Sequence, residues 1–200
     1  MKKLIIINFL LILIYSMLPV HNLNKQEIIE TIAELPVVEE IVEKIEEQEE
    51  IKITFNFEQN LLEPSNLTTE QLGKAFEGTA MKGLEEYFIQ AEKETGVNAL
   101  YLAGLAVHES GWNTSDFAKT RNNLFGWQAY DNNLNATKRF ESKKECILFV
   151  ADKIKTLYLE EDGMFHSGYT MASISKRYAS DPKHAQKTFT IIQELLDRMA

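Results

Sequence analysis

The chain has 200 residues, a formal net charge of −9, 44% hydrophobic residues, 26% charged residues and four prolines, which exclude a collagen-like or wholly disordered protein. The acidity is concentrated in residues 26–63, which hold twelve glutamates and two lysines, whereas residues 64–200 hold eighteen acids and sixteen bases. A nearly neutral domain without a basic stripe argues against nucleic acid as a partner, because that binding depends on neutralising phosphates. The single cysteine, Cys146, excludes an intramolecular disulfide framework.

The N-terminus has the form of a secretory signal, because Lys2 and Lys3 precede an apolar run over residues 4–18. No small-residue cleavage site follows, so residues 1–20 are predicted to be either a signal peptide or an uncleaved signal anchor. The anchor would attach the chain to the membrane through residues 4–20. The run is shorter than the roughly 20 residues that span a bilayer comfortably, which leaves both alternatives open. Either one predicts export, to the cell wall or to the outer face of the cytoplasmic membrane.

Residues 21–63 are predicted to be an acidic, partly helical stalk or linker. Apolar residues recur at three-to-four spacing over residues 25–50, with glutamate on the other faces and an interruption near Pro36. A coiled coil is the alternative, but three or four unbroken heptads are missing. The alternation of residues 51–57 predicts one strand or an extended contact strip, and the domain boundary is placed at residue 64.

Residues 64–200 are predicted to be a mainly α domain with one small β-hairpin. Capping residues and apolar periodicity place helices from Thr68 to about Phe76, over 84–95, from Ala99 to about Glu109, over 146–157, after Thr170, and from Asp181-Pro182 onward. The hairpin is predicted over residues 124–141, around a polar turn. The helix that begins at Ala99 is apolar nearly all round, so it is predicted to be the buried central one.

Glu109 is the candidate general acid, because it ends the most hydrophobic helix of the chain. Loss of water, the negative end of the helix dipole and the neighbouring Trp112 all favour a protonated carboxyl group, which is the form that donates a proton. His108 points about 100° away from Glu109 and is predicted to pack or to face solvent. His166 and His184 lack partners at metal-ligand spacing, so neither a metal site nor a cofactor is predicted.

A sugar-binding surface is predicted in the glycine- and asparagine-rich stretch after Glu109. Aromatic faces suit pyranose rings, and the polar side chains suit hydroxyl and acetamido groups. The candidate substrate-binding residues are Trp112, Ser115, Asn123, Phe125, Trp127 and Tyr130.

Three ordered motifs carry a family resemblance, and they read LAVHESGWNTSDFAKTRNNLFGWQAYDNN, RFESKKECI and RYASDPKHAQK. Together they resemble the bacterial glucosaminidase domain of glycoside hydrolase family 73, found in autolysins and flagellar peptidoglycan hydrolases. The resemblance covers about residues 65–200 and implies a lysozyme-like helical domain with a two-lobed groove. The implied activity is cleavage of the β-1,4 bond after N-acetylglucosamine in peptidoglycan. By the same resemblance, Glu109 falls on the catalytic glutamate and Tyr178 on the tyrosine of the YATDP motif, where Ser180 replaces threonine.

The resemblance also implies a second acidic residue on the hairpin lobe, for which Glu141 is the candidate and Asp131 the second choice. The competing mechanism is assistance by the substrate's N-acetyl group, with Tyr178 orienting the acetamide. Two alternative functions stay open, which are a lytic transglycosylase or muramidase on the same fold and a non-catalytic glycan-binding module. The stretch NNLFG stands where common transglycosylases carry a GLMQ-like segment, which favours the glucosaminidase.

Overall fold

The structure is a computed structural model that describes residues 53–128 and 137–200. The predicted signal or anchor, most of the predicted stalk, Tyr130 and Asp131 lie outside the described residues. Residues 53–200 cluster as one compact unit. The helices of the described residues are α1 (Thr69–Phe76), α2 (Glu85–Thr95), α3 (Ala99–Ser110), α4 (Asp116–Arg121), α5 (Lys143–Ile154), a π-helical turn (Lys155–Leu159), α6 (Met171–Tyr178) and α7 (His184–Met199).

The first three predicted helices are confirmed together with their capping residues. Thr68 and Gln71 form the predicted capping box at the start of α1. Gly96, with a φ of 75°, ends α2 in the left-handed conformation that glycine adopts readily. The Asn98 side chain accepts a hydrogen bond from the Tyr101 backbone N–H and so caps α3. Local side-chain to backbone bonds therefore set these boundaries.

The final helix begins later than the sequence predicted. Asp181 does not cap α7, because its side chain accepts from the Lys183 N–H and its carbonyl accepts from the His184 N–H. These bonds close a separate turn, so α7 begins at His184 rather than at Pro182. The shift places His184 in the first turn of α7, where its side chain is buried. The short helix α4 was missed, although Ser115 caps it.

The arms of the predicted hairpin are not strands, since no described residue lies in a β-strand. The predicted turn falls within residues 129–136, outside the described residues. Gly126 and Gln128 both have a φ of 60°, a left-handed conformation that interrupts an extended strand. The Asn123 side chain also donates to two backbone carbonyls, one on each side of the predicted turn. One backbone bond, from the Lys138 N–H to the Trp127 carbonyl, also joins the described parts of the two arms, so side-chain bonds supplement a single backbone contact there rather than a strand ladder.

Helix α3 is the buried central helix, as predicted, and α7 packs along it. Gly104 permits this close approach, because a Cβ at that position would overlap the Ile192 side chain. Helix α7 also contacts α1, and α2 packs against α5. Cys146 of α5 lies in the hydrophobic core, where burial raises the pKa of its thiol to about 12.

The segment before α1 is the predicted contact strip rather than a strand. Phe55 is buried, and the Phe57 ring meets Phe189 of α7 edge-on at 5.4 Å between ring centres. The Gln193 side chain donates to the Phe55 carbonyl. Among residues 53–128 and 137–200, no helix is both long enough and apolar enough to cross a membrane.

Candidate active site

Glu109 lies one residue before the end of α3, and Gly111 ends the helix with a φ of 56°. The Glu109 side chain is 25% exposed, although most of the helix before it is fully buried. Its Oε1 lies 2.7 Å from Nε2 of His184, the first residue of α7. The carboxyl group therefore has one buried partner on the protein side and keeps contact with solvent.

His184 is held on both of its ring nitrogens. Its Nδ1 lies 2.9 Å from the Ser175 hydroxyl of α6, and its side chain is only 7% exposed. The His108 ring lies 4.9 Å from the His184 ring between centres, and the Tyr178 ring lies 5.6 Å away. Helices α3, α6 and α7 thus converge on His184 and fix its position beside Glu109.

A cavity of about 580 Å³ opens beside Glu109. Four parts of the chain line it. They are the C-terminal end of α3, helix α4 with the turn that follows it, the region from the π-helical turn to residue 165, and the C-terminal end of α6. The lining residues are Glu109, Phe117, Phe125, Gly126, Trp127, Gln128, Leu157, Tyr158, Phe165, Arg177, Tyr178 and Ala179. Aromatic side chains and one carboxyl group thus share a groove open to solvent, which suits a carbohydrate ligand.

Tyr178 ties the end of α6 to the turn after α4. Its hydroxyl donates to the Phe125 carbonyl at 3.1 Å, and its ring lies 6.0 Å from the Tyr158 ring between centres. Burial, with a further contribution from the charge of Glu109, raises the pKa of Tyr178 well above its ordinary value. The hydroxyl therefore stays protonated, and its oxygen remains an acceptor.

His108 has a different environment from His184, although both rings lie near Glu109. Its Nδ1 lies 2.8 Å from the Thr188 hydroxyl of α7. Burial lowers the pKa of His108, and the nearby charge of Glu109 opposes that shift. One ring nitrogen of each histidine and one oxygen of Glu109 lie within 4.8 Å of one another, so these residues are close enough to share a metal ion. In this structure Glu109 and His184 are instead hydrogen-bonded to each other.

The predicted sugar-binding residues separate into two groups. Trp127 lines the cavity with a partly exposed ring, and Phe125 reaches it although the side chain is buried. Trp112 lies under the guanidinium group of Arg198 at 5.0 Å and is not among the cavity-lining residues. Ser115 caps α4. Asn123 is buried, with its side chain bonded to backbone groups.

The predicted second carboxylate, Glu141, is not among the residues that line the cavity beside Glu109. Glu141 is exposed and precedes the Ser142 cap of α5, and its backbone N–H donates to the Glu145 side chain at 2.6 Å. Asp131 lies outside the described residues. Among the described residues that line the cavity, Glu109 alone has a carboxyl group.

Sequence reasoning missed His184, Ser175, Tyr158 and Phe165 as site residues. Tyr158 lies directly after the helical pattern of residues 146–157, and Phe165 lies in a stretch for which no element was predicted. His184 and Glu109 are 75 residues apart, so no local motif links them. The sequence nevertheless contained a signal. His184 and Thr188 lie on the same face of α7 as the buried Ile192, and polar side chains on a buried face need hydrogen-bond partners.

Comparisons with known proteins agree on one family. A family model described as mannosyl-glycoprotein endo-beta-N-acetylglucosaminidase matches residues 85–197. Two proteins from two strains of Streptococcus pneumoniae carry the name endo-beta-N-acetylglucosaminidase, and each is 30% identical over 146 residues, which is 70% of this chain. The match covers 22% and 21% of those proteins, so the chain spans about a fifth of their length.

Solved structures of S. aureus autolysin E have a similar fold. Autolysin E in complex with the muropeptide NAM-L-ALA-D-iGLU matches with a TM-score of 0.57 and 20% identity, over 80% of this chain and 78% of that one. A catalytic mutant in complex with the disaccharide NAG-NAM matches with a TM-score of 0.56 and 20% identity, over 72% and 74%. At this identity the likeness shows the fold, including its mainly helical architecture.

Proposed function

Since the chain belongs to the glucosaminidase family, we propose that it is an endo-beta-N-acetylglucosaminidase of peptidoglycan. It cleaves the β-1,4 bond after N-acetylglucosamine in the glycan strands, and Glu109 is the general acid. One observation carries the proposal, which is the partly exposed Glu109 carboxyl at the end of a buried helix, inside a cavity of about 580 Å³ lined by aromatic residues. Autolysin E, of the same fold, was solved with the disaccharide NAG-NAM, which supports this substrate class.

Glu109 has two oxygens in different surroundings, and this difference suits proton donation. Oε1 faces His184. Oε2 lies near Gly126 of the cavity lining, because a Cβ added to that glycine would be 3.9 Å from Oε2. A proton on Oε2 is given to the glycosidic oxygen as the bond from that oxygen to the anomeric carbon breaks. The leaving sugar then departs as an alcohol, and Glu109 is left as a carboxylate.

The lack of a second carboxyl group among the described lining residues supports assistance by the substrate. In that mechanism the acetamido oxygen attacks the anomeric carbon, and water then opens the cyclic intermediate with Glu109 as base. Tyr178 is suited to orient the acetamide, because its hydroxyl donates to Phe125 and its oxygen can accept the acetamide N–H. A paired-carboxylate mechanism keeps Glu141 and Asp131 as its candidates.

Trp127 is the proposed platform for a sugar ring, with Phe125, Tyr158 and Phe165 beside it in the lining. The Trp127 ring meets Phe149 edge-on at 5.9 Å between centres, so a partly buried side chain that packs against the core holds its orientation. The other three predicted residues do not line the cavity. Trp112 packs against Arg198, Ser115 caps α4, and the Asn123 side chain bonds to backbone groups.

Residues 1–20 are proposed as a signal peptide or anchor, residues 21–63 as an acidic stalk and residues 64–200 as the catalytic domain, with residues 124–141 as its smaller lobe. The chain is then exported to the cell wall or held at the outer face of the membrane. The acidic stalk would be repelled by anionic wall polymers rather than adsorbed to them.

Product analysis tests the function. The full chain is incubated with purified peptidoglycan, the new reducing ends are reduced with borohydride, and the sugars are identified by mass spectrometry. Reduced N-acetylglucosamine is the expected product. Reduced N-acetylmuramic acid would instead identify a muramidase, and anhydro-muramic ends would identify a lytic transglycosylase. Binding to the glycan without cleavage would identify a non-catalytic module.

A further inference from the structure

A chain of three buried or partly buried polar groups leads from α6 through α7 to the candidate acid. The Ser175 hydroxyl lies 2.9 Å from His184 Nδ1, and His184 Nε2 lies 2.7 Å from Glu109 Oε1. Ser175 is 8% exposed and His184 is 6% exposed. The acid step proposed above needs only Glu109, so this buried chain has a role that the step does not explain.

If Glu109 acts as an acid, only one placement of the hydrogens lets Glu109, His184 and Ser175 all bond to one another. If Oε2 of Glu109 carries the proton that goes to the substrate, Oε1 is left as an acceptor. His184 must then carry its hydrogen on Nε2, which leaves Nδ1 bare. Ser175 completes the set, because its hydroxyl can donate to that bare nitrogen.

The same arrangement becomes stronger once the proton has left. Glu109 then carries a negative charge at the C-terminal end of α3, where the helix dipole opposes it. The Nε2–H of His184 donates to that carboxylate, and a hydrogen bond to a charged acceptor is roughly twice as strong as a neutral one. The gain therefore appears as charge develops on Glu109 and not when the substrate binds.

We propose that His184, with its tautomer set by Ser175, is a positioning residue that turns Oε2 of Glu109 toward the cleavage site and stabilises the carboxylate formed there. This inference rests on the proposed role of Glu109 as general acid. It identifies the specific feature of His184 that matters, which is a hydrogen-bond donor at the position of Nε2. It predicts a loss in kcat with little change in KM when that donor is removed.

Two substitutions of His184 form a matched pair that isolates this donor. In His184→Gln the terminal amide reaches about as far as Nε2 and still donates to Glu109, whereas in His184→Asn the shorter side chain reaches only toward Ser175. We expect His184→Asn to lower kcat about 10- to 100-fold, because a misplaced catalytic group costs on the order of 10²-fold. His184→Gln should stay within about 5-fold of the parent, and KM should change less than about 2-fold in both. Ser175→Ala should lower kcat by about 3- to 10-fold, because the tautomer is then no longer selected.

The assay uses the full chain on peptidoglycan, with melting temperatures recorded for every variant, and includes Glu109→Gln. Equal kcat in His184→Asn and His184→Gln, or a loss that appears mainly in KM, would overturn the positioning role. If Glu109→Gln is inactive while His184→Asn matches the parent, this inference fails and the proposed function stands. If Glu109→Gln matches the parent, the assignment of the acid fails, and the role of His184 fails with it.

Discussion

The two ends of helix α3 each meet a glutamate, and the two glutamates are used in opposite ways. At the N-terminal end, the Glu92 carboxylate of α2 accepts from the backbone N–H groups of Ser65 and Ala99. At the C-terminal end, the Glu109 carboxyl is bonded to the His184 side chain and faces an open cavity.

The difference follows from the direction of the helix dipole. The N-terminal end of a helix has unpaired N–H donors and a partial positive charge, so the Glu92 carboxylate is stabilised there as an anion. The C-terminal end carries a partial negative charge and no free N–H donors, and there the Glu109 carboxyl is bonded to a side chain, that of His184, instead of to backbone. One end of α3 therefore uses a carboxylate to join chain segments, and the other end presents a carboxyl group to the cavity.

The largest expected effect on stability comes from forcing α3 away from α7 near Glu109. In Gly104→Val the new side chain overlaps Ile192, and overpacking of this kind costs about 3 kcal/mol of folding free energy. Because the Glu109–His184 contact spans the same two helices, separating them should also lower the activity per folded molecule. Denaturant unfolding and the rate of peptidoglycan cleavage measure the two effects. Adding Ile192→Ala to this variant makes room, so the double variant should be less destabilised than the sum of the single changes; strict additivity would argue against the overlap.

The next effect concerns the other end of α3. Glu92→Gln removes the charge that two backbone N–H donors share, and a hydrogen bond to a charged group contributes about 1.5–3 kcal/mol. We expect a loss of about 2 kcal/mol in the free energy of unfolding and an unchanged kcat for the folded protein. Glu94→Gln on the exposed face of α2 is the matched control and should change stability by less than about 0.5 kcal/mol. A clear loss of kcat in Glu92→Gln would mean that the two ends of α3 are not independent.

The two tryptophans after α3 provide a smaller test. Trp127→Leu should raise KM about 10-fold with little loss of stability, because its ring lines the cavity. Trp112→Leu should leave KM unchanged and lower the stability by about 1 kcal/mol, because it loses the contact with Arg198. Steady-state kinetics and thermal melts on both variants separate these outcomes. Equal effects on KM would place Trp112 at the substrate as well.

The smallest effect is a pH dependence at His108. Burial lowers the pKa of His108 below its ordinary value of 6.5, so the unfolded chain takes up a proton at a higher pH than the folded protein does. Its contribution to stability is therefore fully present above pH 6.5 and declines as the pH falls from 6.5 toward the lowered pKa. His108→Asn should melt with a weaker pH dependence between about pH 7 and 5 than the parent does. An identical slope in the two proteins would contradict this.

Elements whose ends are set by contacts between neighbouring residues could be predicted from the sequence, whereas features set by contacts between distant residues could not. Helices α1, α2 and α3 were predicted to within about one residue, because Thr68, Gly96 and Asn98 set their ends through local hydrogen bonds. The hairpin arms were predicted wrongly as strands, since a polar turn between two arms does not reveal that Gly126 and Gln128 are left-handed or that the Asn123 side chain binds two backbone carbonyls. Glu109 could be singled out as a candidate because its position at the end of an apolar helix is also a local property, and its role stays a prediction.

The partner of Glu109 could not be predicted because it depends on how α3 and α7 align. Gly104 faces Ile192, and His108 bonds to Thr188, so contacts repeat every four residues along both helices. This register brings the first turn of α7 to the end of α3, and with it His184. Gly104 leaves room for this alignment, and the resulting contact joins residues that are 75 positions apart.

The role of Glu109 as general acid is tested most directly by comparing the activity of Glu109→Gln on two substrates whose leaving groups differ in their need for a proton. The measurement is kcat/KM on peptidoglycan and on an N-acetylglucosamine oligomer whose reducing end carries dinitrophenol, a leaving group that departs without a proton. If Glu109 is the general acid, the variant should lose about 10³-fold on peptidoglycan and stay within about 10-fold of the parent on the activated glycoside. An equal loss on both substrates would contradict the account, because it would mean that Glu109 does something other than protonate the departing oxygen.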